Sequence, residues 1–412
     1  MRSAIIDARQ EMLDVMKFTA QAVSEIAINP SVKKELLSYG LQEFDGEVTA
    51  HFSKLLNDGN PEAVSSDNSK GTFSRLFENK AQQFESNQLN IKSQSAGNTI
   101  TDLEAFLKDK NMALYGPYLA ENHANSDKPI TVSFDPLNGS KTSSIGYILV
   151  PKTSSGSTAN SGGLDAPNAI SNYELIEISG IDDDYAYNNP TLFVIIDDAG
   201  SSGGGGSVAN TGSGSSSGNT STRAIDCRDL SDDDLIQLYM RKFRLMGNLR
   251  SAPWNRNFLD MWVITSDDIS FDTNNTAVVN ENTAKLWRTK QVSREDGRKQ
   301  NWLNSDIGAL DLNWIRQEVN AYMILAYKSG NDGGSVTADV ETIIKSDGTN
   351  ETTTTLSATI LLSEKFESFY QFPYDRCGTL AVFRTDQGLG LNENLSIFGA
   401  NKMQFTLEAI LR

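Results

Sequence analysis

Residues 200–222, GSSGGGGSVANTGSGSSSGNTST, divide the chain. Glycine and serine offer too little apolar surface to offset the entropy lost on ordering, so the run reads as a flexible linker or a long mobile loop. It is either a hinge between domains or an insertion at the tip of one β domain. Directly before it, residues 191–198, TLFVIIDD, form the most apolar strand-like run of the first half. Upstream of the tract the chain starts helical; downstream it reads mostly as strands.

Working upstream, residues 3–27 carry Ile5, Met12, Met16, Thr19, Val23 and Ile26 at helical spacings. Asn29-Pro30 ends that helix, because proline disfavours helical geometry in the residue before it. Ser31 then caps a helix over 32–39, stopped by Gly40. Val48, Phe52, Leu55 and Leu56 predict a third helix over 48–56, and Phe73, Leu76, Phe77 and Phe84 a fourth. Thr101 and Glu104 have capping-box spacing before Leu103, Phe106 and Leu107. These stripes predict a small helical bundle packing on itself over residues 1–125, set on or beside the β region that follows. From Pro129 the period changes to two, giving a first β region over 126–199 with strands at 130–134, 144–150, 173–178 and 191–196.

Downstream, residues 223–412 predict a β-sandwich with one leading helix. Residues 231–246 read as that helix: Ser231 at the N-cap, Asp232 to Asp234 at the positive end of the dipole, and Gly247 as the stop. Strands are expected at 258–266, 321–328, 336–345, 353–362, 378–385 and 402–412, with Ser346-Asp347-Gly348 turning a hairpin. Thr353, Thr355, Ser357 and Thr359 alternate with less polar residues, giving one wet and one drier face. The fold class expected is α+β.

At 412 residues the chain is long enough for two or three domains. A net charge of −17 repels phosphate backbones and anionic membranes, so no nucleic-acid partner is expected. No apolar run approaches the ~18 residues of a transmembrane helix. The start is too charged for a signal core, at Asp7, Arg9, Glu11 and Asp14. Cys227 and Cys377, the two cysteines, read as idle thiols or as one long-range disulfide. The Asn/Thr/Ser/Gly-rich, lysine-poor composition leans towards an extracellular or cell-surface location.

Residues 29–56, through Val32, Leu36, Leu37, Phe44, Asp45 and Gly46, resemble the start of uncharacterised lipoprotein-like surface proteins of Bacteroidetes. The resemblance implies export and anchoring at a cell surface.

Catalytic signals are sparse. Two G-x-S-x-G matches fall inside the Gly/Ser tract, with no helix after them to make a nucleophile elbow. His51 and His123 are the only histidines; His51 is placed beside the apolar face of a helix and His123 in a loop. A triad built on Cys227 would have to borrow one of them across domains. Asp182, Asp183 and Asp184 form an acidic turn that admits calcium, the one cofactor considered. All five tryptophans fall between Trp254 and Trp314, interleaved with arginines, and between 240 and 300 basic residues outnumber acidic ones. Trp287, Trp302, Arg288, Arg294 and Arg298 are therefore the candidate contact residues for a protein or glycan surface. Their charge, against an acidic remainder, also suggests a homo-oligomer assembled head to tail.

The function expected is an exported, surface-associated, non-enzymatic binding or structural protein. A secreted carbohydrate-active hydrolase using paired carboxylates and a virion or filament subunit are the alternatives.

Overall fold

The structure is a computed structural model. It describes residues 2–42, 47–56, 71–92, 102–139, 141–152, 172–197, 227, 230–231, 234–274, 277–279, 284–305, 309–315, 318–330, 334–346, 350–362, 365–399 and 401–411. The 200–222 tract, Phe44-Asp45-Gly46, Asp232 and Asp233 lie outside them. The class is α+β, with N-terminal helices followed by mostly antiparallel sheets. Two units divide the chain: Met1–Ala209 with Arg250–Arg256, and Asn210–Leu249 with Asn257–Arg412. None of the described helices is long and apolar enough to cross a membrane.

The first unit runs α1 (Arg2–Ile26), α2 (Pro30–Gln42), β1 (Val48–His51), α3 (Phe52–Leu55), α4 (Thr72–Lys92), α5 (Leu103–Asp109), β2 (Met112–Gly116), α6 (Leu119–His123), β3 (Thr131–Phe134), β4 (Ser144–Pro151), β5 (Tyr173–Ile181), α7 (Asp183–Asn188) and β6 (Thr191–Ile196). Its sheet has the order β1-β2-β6-β3-β4-β5, antiparallel except for the parallel pair β3–β6. Helix α1 buries Val15, Met16, Ala20, Val23 and Ile26 in one core with Val48, Ala50, Leu114, Val132 and Val194 of the sheet. Ser24 Oγ donates to the Tyr147 carbonyl at 3.0 Å, which fixes α1 on β4. The helices are not a self-contained bundle: α1 lies on β3, β4 and β6 of the first β region as well as on α4.

The span read as a helix over 48–56 is a strand and one helical turn. Val48 and Ala50 point into the helix-facing core, whereas Thr49 and His51 alternate away from it. Phe52 and Leu55 then reach the same core from α3, so four apolar positions mimic helical spacing across a strand–helix joint.

The second unit contains β7 (Ile236–Leu245), β8 (Asn257–Ile264), β9 (Ile269–Phe271), β10 (Ala277–Val279), β11 (Lys285–Val292), α8 (Arg294–Lys299), β12 (Leu303–Asn304), β13 (Ala309–Trp314), β14 (Asn320–Gly330), β15 (Gly334–Ser346), β16 (Asn350–Leu362), β17 (Lys365–Asp375), α9 (Arg376–Val382), β18 (Leu391–Asn392), β19 (Leu395–Gly399) and β20 (Met403–Leu411). Three sheets result: β12-β7-β20-β19-β18 with β13 also on β7, then β11-β8-β14-β17, then β15-β16-β10-β9. The middle sheet is covered on both faces. Leu259, Met261, Val263, Met323 and Leu325 pack towards the first sheet, and Trp262, Ile264, Ile324 and Ala326 towards Val340, Ala358 and Ile360 of the third. A third sheet is therefore added to the expected sandwich.

Two expectations fail here. The leading helix is strand β7, whose buried apolar residues are Ile236, Leu238, Met240, Phe243 and Leu245. Its pairing with β20 slips between Phe405 and Leu407, so that Phe243 faces Phe405 and Met240 faces Leu407. One extra residue on β7, a bulge, converts a period of two into the helical-looking spacing 236, 240, 243. The strand expected at 378–385 is instead α9, capped by Asp375, whose side chain accepts from the Gly378 N–H. Cys377 on this helix is bonded to Cys227, which removes the reading of idle thiols.

At the start of α4, the Glu35 side chain reaches across from α2 and accepts the Phe73 N–H at 3.0 Å. Burial pushes this carboxyl above its ordinary pKa, against the opposing effect of the Phe73 and Thr72 amides. A carboxyl raised on folding favours the protonated folded state, and that contribution is lost as pH rises through the folded pKa. Glu35→Gln keeps an acceptor without the charge, so in thermal melts it should raise the midpoint at pH 7 and leave it unchanged at pH 4. Glu35→Ala should instead cost about 1 kcal/mol at either pH through the lost cap.

Candidate functional site

The first unit's sheet has a second face, turned away from α1. Tyr115, Phe193, Ala113 and Ile195 line it, with Ala252 and Trp254 packed among them. Register places Thr49 beside Tyr115 and Phe193 in one row, and His51 beside Ala113 and Ile195 in the next. Asp197 follows β6 immediately. Its backbone N–H donates to the Asn111 carbonyl at 3.0 Å, and the Asn111 side-chain amide donates back to the Asp197 carbonyl. Asn111 adopts φ +47°, a left-handed geometry that asparagine tolerates better than most residues.

Three charged or chargeable groups meet there. His51 Nε2 lies 3.0 Å from Asp197 Oδ2, and Arg256 Nη2 lies 3.4 Å from the same oxygen. Arg256 Nη2 also donates to Thr49 Oγ1 at 2.8 Å, and its guanidinium sits 5.3 Å from the Tyr115 ring centre. The Asp197 side chain is 6% exposed, that of Arg256 9% and that of His51 18%. A carboxylate so buried requires a matched cation, and Arg256 supplies it. The carboxylate also fixes the imidazole, with Nε2–H as the donor, which is the orienting half of a proton relay. Thr49 accepts from Arg256 rather than serving His51. The other histidine, His123, ends α6 with Nε2 3.1 Å from the Tyr187 carbonyl, and burial pushes its pKa down.

The residues singled out from sequence are placed differently. Trp287 and Arg288 lie in β11, with side chains outside the described residues. Trp302 is half-buried, with the Arg244 guanidinium 4.7 Å from its ring centre. Arg294 is a correction: it is wholly buried at the start of α8 and cannot be a surface contact. The run 294–299 is a helix capped by Ser293 and packed against β7. Gly297 allows the approach, since a Cβ there would stand 2.7 Å from Asn248 Oδ1. Arg298 stays partly exposed. Trp254, Trp262 and Trp314 are buried, Trp314 donating to the Glu318 carbonyl at 3.0 Å.

Asp182 caps α7 through the Tyr185 N–H at 2.8 Å, and Asp183 accepts from the Tyr118 hydroxyl at 3.0 Å. Among the described residues, no group of three or more His, Cys, Asp or Glu side chains could hold a metal ion. Cys227, weighed as a nucleophile, is consumed in the disulfide.

Comparison with known proteins adds no relative. No family model matches the chain, and no curated protein or solved structure matches it either.

The Asp197–Arg256 pair can be measured directly. Arg256→Ala leaves the buried carboxylate with His51 alone and should lower the unfolding free energy by about 3 kcal/mol in urea titrations. Adding Asp197→Asn to that variant should recover part of the loss, because the buried charge that has lost its guanidinium is then gone.

Proposed function

We propose that the chain is an exported, surface-associated protein that acts by binding or assembly, not by catalysis. The observation that carries this reading is the Cys227–Cys377 bond, with Cα atoms 5.2 Å apart across 150 residues of sequence. Disulfides persist in oxidising surroundings and are rare in reducing cytosol. Both cysteines of the chain are used, leaving no free thiol.

Surface chemistry supports the same reading. Thr353, Thr355 and Ser357 of β16 and Thr337 and Asp339 of β15 face solvent, a polar array on two paired strands of 13 residues each. The net charge of −17 disfavours nucleic acid and anionic membranes, leaving a protein or glycan surface as the partner.

Non-reducing peptide mapping of the protein recovered from fractionated native cells tests the reading. The expected result is a linked Cys227–Cys377 peptide in the extracytoplasmic fraction. Free thiols in a cytoplasmic fraction would sink it. Cys227→Ser with Cys377→Ser should cost about 2–4 kcal/mol of stability, and the wild type under reductant should lose the same amount.

A further inference from the structure

Arg250–Arg256 belongs to the first unit, although the residues on either side, Leu249 and Asn257, belong to the second. The segment forms neither helix nor strand; its own turn is closed by the Asn255 N–H on the Ala252 carbonyl at 3.1 Å. Side chains hold it in place. Trp254 is 5% exposed, its ring centre 6.1 Å from that of Phe193. Arg256 engages Asp197 and Thr49 over the Tyr115 ring.

An aromatic anchor and a guanidinium anchor two positions apart, one in an apolar pocket and one on a buried carboxylate, is the pattern of a peptide hot spot. The receiving groups are built without the segment. Tyr115 and Phe193 sit on paired central strands, and Asn111 fixes the Asp197 backbone. His51 shares Oδ2 with Arg256, so the carboxylate keeps a partner when the arginine leaves. Such preorganisation lowers the cost of binding.

We propose that this face is a recognition site for a Trp-x-Arg segment, filled in cis by Arg250–Arg256 and open in trans to the same segment of a second copy. The cis occupant holds a high effective concentration, so exchange between copies needs either concentrated protein or a vacated site. The proposal stands independently of where the protein is located.

The test uses full-length chains. A receptor variant, Trp254→Ala with Arg256→Ala, is titrated with a labelled peptide of residues 250–258, RSAPWNRNF. It is then mixed with a donor variant, Asp197→Arg, whose own site repels Arg256. The receptor variant should bind the peptide at least about tenfold more tightly than wild type does, and a peptide with both anchors changed to alanine should lose that binding. Light scattering should show a one-to-one pair of receptor and donor, with each alone a monomer. A cooperatively melting receptor variant that ignores the native peptide overturns the site, and peptide capture without pairing overturns the second copy as occupant. If the receptor variant loses its cooperative transition, recovery on adding the native peptide, and not the alanine peptide, supports the site; no recovery overturns it.

Discussion

A carboxylate at 6% exposure is costly to bury, and the first unit is arranged around the cost of burying Asp197. Its backbone is tied to Asn111, and its Oδ2 is shared by His51 and Arg256. Each tie comes from a different part of the sequence, so one side chain brings together β1, the turn before β2, the end of β6 and the 250–256 segment. Hydrophobic burial fills the rest of that face, but non-directional packing does not say which segment must lie there. The ion pair does.

The second unit answers a different constraint. A strand buried on both faces is largely apolar on both, and β8 and β14 are, with Asp260 and the two strand-start asparagines Asn257 and Asn320 as buried polar exceptions. Leu259, Met261 and Val263 serve one core while Trp262 and Ile264 serve the other. Arg294 is buried at the capped start of α8, where Gly297 lets the helix close on Asn248. The disulfide then ties the approach to β7 to α9, across a span that includes most of the three sheets.

Much of the fold was legible in the sequence and the site was not, for physical reasons that differ by residue. Residues 3–27 and 191–196 show clean periods, and the helix and strand are where those periods put them. β7 was hidden because Ser231, Asp232 to Asp234 and Gly247 read as helix caps, while its bulge breaks the period of two that would have opposed them. β1 was hidden because Phe52 and Leu55 of the following turn share its core. That second error also concealed the site, since His51 placed on a helix face cannot be seen to lie across from Asp197. Arg256 gave a weaker signal: it follows Trp254 by two positions in an aromatic, basic window whose contact residues were sought further on, between Trp287 and Trp302. The structure divides it, sending Trp254 and Arg256 into the first unit and Trp262 and Trp314 into the cores of the second.

The claim that Asp197 holds the 250–256 segment is tested most directly by oxidative footprinting of the individual tryptophans. In the native chain Trp254, Trp262 and Trp314 are all buried and should be oxidised slowly. With Asp197→Ala, oxidation of Trp254 should rise sharply while Trp262 and Trp314 stay protected, because only the segment anchored by the ion pair is released. Equal protection of all three tryptophans in that variant would show that packing alone holds the segment, and would contradict the account.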